Sequence, residues 1–236
     1  MQLPALLDGV LFDLDGTLVD HDHAARLGVN AWAATLGLQG DQWARWADIE
    51  RRWFRAFEEG RVSHLGQRVE RCREFIGRPE LSDEQALAMY EDYLAVYRAN
   101  WRAFPDALPS LRQALGRGLK VGIFTNGAEE MQRAKLERTG LWLKGMIMCA
   151  TVELGAPKPQ PESYRAALRT IGTTAKRTLM IGDSLPNDVD GARRAGLHAI
   201  HVDRTGKSAA SISSLDEIKW SARDDVPDTT PPARAQ

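Results

Sequence analysis

The chain of 236 residues has only two cysteines, Cys72 and Cys149, far apart and without the spacing of a metal cluster. That argues against a disulfide framework and for reduced, buried thiols in a cytoplasmic protein. It has no apolar run approaching the ~20 residues that a membrane-spanning helix needs. Its first ten residues lack a basic leader and are interrupted by Asp8, so no secretory signal is expected. It has almost no net charge, with 31 Lys and Arg against 32 Asp and Glu. No overall pull toward nucleic acid or an anionic membrane follows, and any anion preference has to be local. Internal repeats are also lacking. The tail from Ser221 onward is polar and shows no apolar period, so 221–236 is read as mobile.

What the chain does have is a set of apolar runs that end in chemistry. Gly9-Val10-Leu11-Phe12 closes on Asp13-Leu14-Asp15-Gly16-Thr17. Side chains alternate along a strand, so two acids at i and i+2 emerge on the same side of its end and invite a cation. An Asp-Gly pair after such a run is equally the signal of a tight hairpin, and this stretch alone leaves both readings open. Lys120–Thr125 is a second run, ending in a hydroxyl and the turn Asn126-Gly127. Lys158 is pinned between Pro157 and Pro159, where a lysine is ordinarily solvated. A further run, Leu179-Met180-Ile181-Gly182, delivers Asp183 and Asp188.

Between the first two runs lies a segment without convincing strands. Helical periods cover about 24–37, 41–58, 63–77 and 83–101, with Asp41, Ser63 and Ser82-Asp83 as start signals and Gly37, Gly60 and Gly77 as stops. Trp43, Trp46, Trp53 and Phe57 share one helical face and are read as packing the insert's own core. The many arginines of this segment alternate with glutamates and form mostly a solvated face, with one or two left to meet an anionic substrate. His21-Asp22-His23 marks a hinge and a helix start.

After Trp101, strand and helix alternate: helix from about 104 to 117, strand 121–124, helix 128–139, strand 146–150, helix 160–171, strand 178–182, helix 187–195 and strand 197–202. This predicts an α/β fold, a Rossmann-like and mainly parallel sheet with helices on both faces, binding its ligand at the carboxyl ends of the strands. The expected organisation is a core from residues 1–20 and 101–220, a helical insert over 21–100, and the tail.

The four segments around Asp13, Thr125, Lys158 and Asp183, in that order and spacing, resemble the signature motifs of the haloacid dehalogenase superfamily, over residues 9–196. The resemblance implies that Asp13 is a nucleophile carrying a transient aspartyl-phosphate and that Asp15 is the general acid and base, its backbone carbonyl on the metal. It implies that Thr125 and the backbone N–H of Asn126 bind the phosphoryl group and that Lys158 faces the phosphate and the nucleophile. Asp183 completes the cation site, with Asp188 a direct ligand or a support for one. At the start of a helix these acids also have a plain dipole role. A hard, all-oxygen site beside phosphate favours Mg²⁺. Dehalogenase members lack a carboxylate at the position of Asp15, so its presence points to phosphoryl transfer.

The insert resembles the cap found at that point in one branch of the superfamily, hinged near Val19–His23 and Asn100–Pro105. The implied activity is a Mg²⁺-dependent phosphatase acting on a small phosphorylated metabolite. A phosphomutase acting on a sugar phosphate would share every one of these residues. A non-catalytic binding protein on the same fold is the remaining alternative, set against the presence of all five charged groups.

Overall fold

Strand β1 (Gly9–Phe12) pairs in parallel with both β2 (Lys120–Thr125) and β4 (Thr178–Gly182), which makes the first apolar run the centre of the sheet. No hairpin follows Asp15-Gly16. Adding β3 (Met146–Ala150) beside β2 and β5 (His198–His201) beside β4 gives one parallel sheet in the order β3-β2-β1-β4-β5. The structure, a computed structural model, describes residues 6–220. The tail expected to be mobile lies outside these residues.

The sheet is covered on both faces, as its unbroken apolar strands require. Alternation sends Val10, Phe12, Val121, Ile123, Leu179 and Ile181 to one face. There they pack against Ala107, Leu111 and Ala114 of α5 (Ala107–Gly116) and Leu136 of α6 (Glu129–Arg138). Leu11, Phe124, Cys149 and Met180 turn to the other face, against Tyr164, Ala167 and Ile171 of α8 (Pro161–Ile171). A short helix that the periodicity does not predict, α7 (Thr151–Leu154), links β3 to the loop of Lys158. Four residues are too few to show a helical period.

Residues 21–99 form a separate layer of helices: α1 (His21–Thr35), α2 (Trp43–Glu58), α3 (Gly66–Ile76) and α4 (Asp83–Ala99). Ser82 caps α4 in a reciprocal pair with Gln85, whereas Asp41 stands one residue before the cap of α2 and accepts from the Trp43 N–H. The layer has its own aromatic core. Trp32 stacks on Phe75 at 5.0 Å, and Trp46 packs against Tyr93 at 4.7 Å and edge-on to Trp32 at 5.9 Å. Trp46 is buried in this core with Trp43 and Trp53 packed around its rim, while Phe57 is buried outside it, against Phe54 and His64.

Two adjacent strands of chain join this layer to the sheet. Val19 bridges Ala103 in antiparallel fashion, the Asp20 and Phe104 N–H groups donate to Arg102 and Leu18 at 3.0 and 2.9 Å, and Arg102 pairs with Asp20 at 2.6 Å. Among the described residues, no helix is long and apolar enough to cross a membrane. Both cysteines are buried and free.

The helix expected near 187–195 departs from the sequence reading. It starts at Leu185 as a wide π turn (Leu185–Asp190) and only then becomes α9 (Gly191–Arg194). The widened turn folds the Asp188 carboxylate back so that its Oδ2 accepts from the Ser184 N–H at 3.0 Å. Gly182 makes room for it, since a Cβ there would lie 2.3 Å from the Asp188 carboxyl.

Trp46→Ala is expected to lower stability by about 3–5 kcal/mol, measured by equilibrium urea unfolding. A loss below about 1 kcal/mol would mean that the aromatic core collapses around the vacancy or is not cooperative with the sheet.

Candidate active site

The strand order reverses beside β1, and the carboxyl ends of β1, β2 and β4 there open into a cavity of about 610 Å³ between sheet and helical layer. Asp13, Asp15, Thr125, Asn126, Lys158, Asp183 and Asp188, all the residues the sequence singled out, line it.

Lys158 is 2% exposed, not solvated. Its Nζ donates to Asp13 Oδ1 at 2.8 Å, Asp188 Oδ1 at 2.6 Å and the Phe124 carbonyl at 2.9 Å. Burial would strip a lysine of its proton, but the two carboxylates outweigh it and hold the ammonium form well above the usual range. The peptide bond from Lys158 to Pro159 is cis. Asn126 fixes this loop: its Oδ1 accepts from the Lys158 N–H at 2.8 Å and its Nδ2 donates to the Lys158 carbonyl at 3.0 Å. The Asn126 side chain is therefore a positioning group for Lys158.

Asp13, Asp183 and Asp188 each turn an oxygen within 4.8 Å of the others. Gly16 lets Asp183 approach. A Cβ there would lie 2.3 Å from Asp183 Oδ2, and its φ of 83° is left-handed, so a side chain is excluded twice over. Burial pushes the Asp13 carboxyl up to about 7, with Asp188 adding to the rise and Lys158 opposing it. Asp183 is raised well above the carboxylate range by burial and by Asp13 and Asp188. Acids crowded this way hold protons unless a cation takes their place.

Asp15 lives in a different field. Its Oδ1 accepts from Lys135 Nζ at 2.5 Å and its Oδ2 from Gln132 Nε2 at 2.8 Å, so its carboxylate is engaged away from the other three acids. Gln132 also donates to Thr125 Oγ1 at 2.8 Å, tying acid and hydroxyl together. Burial would raise the Asp15 carboxyl, but Lys135 and then His21 outweigh it and hold it below the usual range.

Behind Asp15 stands a relay that the sequence reading did not place in the site. His21 Nδ1 lies 3.8 Å from Asp15 Oδ1 and 3.0 Å from the Tyr97 hydroxyl, and its Nε2 lies 3.1 Å from Glu50 Oε2. Arg71 Nη1 donates to Glu50 Oε1 at 2.6 Å. Burial alone would lower His21, yet Glu50 and Asp15 raise it to about 9, while Arg71 and His21 overcome burial to hold Glu50 at about 2. Glu58, at the end of α2, accepts from Asn126 Nδ2 at 3.1 Å and Asn187 Nδ2 at 2.5 Å, joining the helical layer to both catalytic-end loops.

Lys135 and Gln132 had a faint sequence signal. Helix α6 is too polar to fill its inner face with apolar groups, so polar residues at i and i+3 next to Leu136 had to point inward. His21 stood out only as part of the His21-Asp22-His23 hinge, and nothing in the sequence paired it with Glu50, 29 residues away.

Comparison with known proteins bears on this geometry. The family model described as haloacid dehalogenase-like hydrolase matches residues 7–196. The chain is 33% identical over 179 residues to a phosphoserine phosphatase of Thermus thermophilus, covering 73% of this chain and 68% of that one. It is 28% identical to a glyceraldehyde 3-phosphate phosphatase of Methanopyrus kandleri, over 94% of this chain and 92% of the relative. Among solved structures, the magnesium-bound HAD-hydrolase YfnB of Bacillus subtilis is similar with a TM-score of 0.78 at 23% identity, covering 90% of this chain and 96% of that one. That likeness shows the fold.

Asp13 holds its proton more tightly folded than unfolded, so its contribution to stability is full below a pH near the ordinary 3.8 and is lost as pH rises through about 7. His21 adds a loss in the same direction between 6.5 and about 9. The metal-free protein should lose thermal stability as pH rises from about 6 to about 9. Mg²⁺ should raise Tm more at about pH 8 than at about pH 5, because protons compete for the same oxygens. Scanning fluorimetry across that range with Mg²⁺ and with EDTA checks both, and a Tm indifferent to pH and metal would contradict them.

Proposed function

The chain belongs to the haloacid dehalogenase-like hydrolase family, and on that premise we propose that it is a Mg²⁺-dependent phosphatase that hydrolyses a small phosphorylated metabolite through an aspartyl-phosphate on Asp13. The observation that carries this reading is the meeting, in one cavity, of Asp13 bonded to a buried lysine and Asp15 bonded to a different one. A nucleophile and an acid–base group two residues apart are thereby given separate electrostatic environments, the arrangement that two-step phosphoryl transfer asks for.

The donors fit a hard divalent cation: three carboxylates, buried or half-buried, with no histidine or cysteine among them and with two of the acids held in a proton-hungry state. Asp13, Asp183 and Asp188 would hold the ion, with the backbone carbonyl of Asp15, and the bound ion would neutralise phosphate oxygens and the charge that develops in transfer. Lys158 occupies Asp13 Oδ1 and orients the carboxylate with its second oxygen free to attack. Thr125 and the Asn126 N–H serve as donors to the phosphoryl oxygens.

In the first step an Asp13 oxygen forms a bond to phosphorus, the ester P–O bond breaks, and Asp15 gives its proton to the leaving alkoxide. In the second, Asp15 takes a proton from water, the hydroxide oxygen bonds to phosphorus, and the Asp13–phosphorus bond breaks to release phosphate. Lys135 and His21 favour the ionised Asp15 that the second step uses. The negative charge of an arriving phosphate opposes them and favours the protonated form that the first step uses. Helices α1–α4 act as a cap over this chemistry, swinging on the paired strands at Val19 and Ala103 and latched by Glu58, and they exclude bulk water and restrict the substrate to small molecules.

Phosphate release across a panel of small phosphate esters, with Mg²⁺ and with EDTA, tests the reading. Activity should need the metal and fall by roughly 10⁴-fold or more in Asp13→Asn. Metal-independent release, or an isomerised ester instead of free phosphate, would overturn it. Lys135→Met should move the acid limb of the pH–rate profile to higher pH, since removing the ammonium lets the Asp15 pKa rise; an unmoved limb would take Asp15 out of the titrating role.

A further inference from the structure

The arginines that the helical layer turns toward the cavity are not equivalent. Arg71 is paired with Glu50 at 2.6 Å and Arg51 with Asp48 at 3.6 Å, and Arg55 is exposed. Arg68, on α3, is partly buried. Its guanidinium reaches Met131 Sδ with Nη2 at 3.7 Å, and among the described residues no carboxylate lies within 4.0 Å of it. Burial and the neighbouring Arg71 both act to lower its pKa, but a guanidinium stays charged in proteins. A partly desolvated cation that can neither lose its proton nor find a partner is unfavourable in a free protein, and a ligand anion relieves it.

Two features of the same wall agree. Gln67, 2% exposed, gives its Nε2 to the His64 carbonyl at 2.9 Å and leaves its Oε1 buried without a partner, and Arg71 Nε is likewise buried and unpaired. His64 is pushed down to about 4 by burial and by Arg68 and Arg71, so it is neutral at pH 7. Of the acids nearby, Glu50 has both oxygens occupied, by Arg71 and His21, and Glu58 accepts from two asparagines on Oε1. Met131, which Arg68 touches, directly precedes Gln132, the donor to Asp15. Arg68 thus lines the same cavity as Asp15 and touches the helix whose Gln132 and Lys135 hold that acid.

We propose that Arg68 is a specificity-determining residue that binds a second anionic group, a carboxylate or a second phosphate, carried by the leaving group of the substrate. The proposal rests on the phosphatase reading above and narrows its substrate class to doubly anionic esters.

The test uses esters matched except for the second anion: 2-phosphoglycolate against ethyl phosphate, phosphoserine against phosphoethanolamine, and fructose 1,6-bisphosphate against fructose 6-phosphate. Wild type should favour at least one doubly anionic member by about 10-fold or more in kcat/KM, the pair showing the preference separating carboxylate from phosphate. Arg68→Met should abolish that preference by a selective loss of about 10²-fold on the doubly anionic ester, and Arg68→Lys should restore part of it. Tm should stay level or rise in Arg68→Met, where a merely structural arginine would lower it. Release without any charge preference, or an equal loss on both esters in Arg68→Met, overturns the Arg68 proposal and leaves the phosphatase reading standing. If no ester turns over, the phosphatase reading fails, and calorimetric titration of the same pairs still tests Arg68: binding that does not differ between members, or does not change in Arg68→Met, refutes it.

Discussion

One ammonium holds the catalytic end of this fold together. Lys158 Nζ is bonded at once to Asp13 after β1, to the Phe124 carbonyl within β2 and to Asp188 in the π turn after β4. Three neighbouring strands of the sheet therefore share one buried cation. Removing one partner from a buried ionic set leaves uncompensated charge and typically costs about 3–5 kcal/mol. The loop that carries Lys158 is correspondingly fixed, by two bonds between the Asn126 side chain and the Lys158 backbone. The wide turn at Leu185–Asp190 and the missing side chain at Gly182 are what bring Asp188 within reach.

Asp13 and Asp15 are two residues apart and experience opposite fields. Asp13 is pushed up by burial and by the neighbouring acid, whereas Asp15 is held down by Lys135 and His21 against its own burial. Environments that push paired carboxylates apart are how one site gives two acids distinct tasks. The separation is built from helices on both sides of the cavity: Lys135 and Gln132 come from α6 beside the sheet, while His21, Glu50 and Arg71 come from the helical layer.

The two cores explain why the cavity lies where it does. The sheet buries mainly aliphatic residues against its own helices, and the α1–α4 layer buries a cluster rich in Trp, Phe and Tyr, to which α6 adds Met131 at the edge. Their meeting surface carries charged and amide groups beside apolar ones such as Phe54, Tyr97 and Met131. The paired strands at Val19 and Ala103 and the Glu58 contacts span that surface. A seam between two apolar cores that carries buried charged groups is suited to a charged ligand, and there, among the described residues, Arg68 has no carboxylate within 4.0 Å.

The sequence by itself determined the parallel α/β sheet, the helices between β1 and β2, and the positions of Asp13, Thr125, Asn126 and Asp183 at strand ends, whereas Lys158 follows the short helix α7 and Asp188 lies within the π turn. These are local properties: a period of two or 3.6, a cap, a turn residue after an apolar run. Membership in the haloacid dehalogenase-like hydrolase family was legible for the same reason, since its motifs are short and lie in order along the chain. Only the tertiary structure decided that Asp-Gly ends a central parallel strand instead of turning a hairpin, that Lys158 is buried, and that Asn126 spends its side chain on Lys158. Only it brought Lys135, His21, Glu50 and Arg68 to the cavity. Charge pairing and desolvation depend on distances between residues far apart in the chain, here 120 positions for Lys135 and Asp15 and 145 for Lys158 and Asp13, and no local pattern encodes those distances.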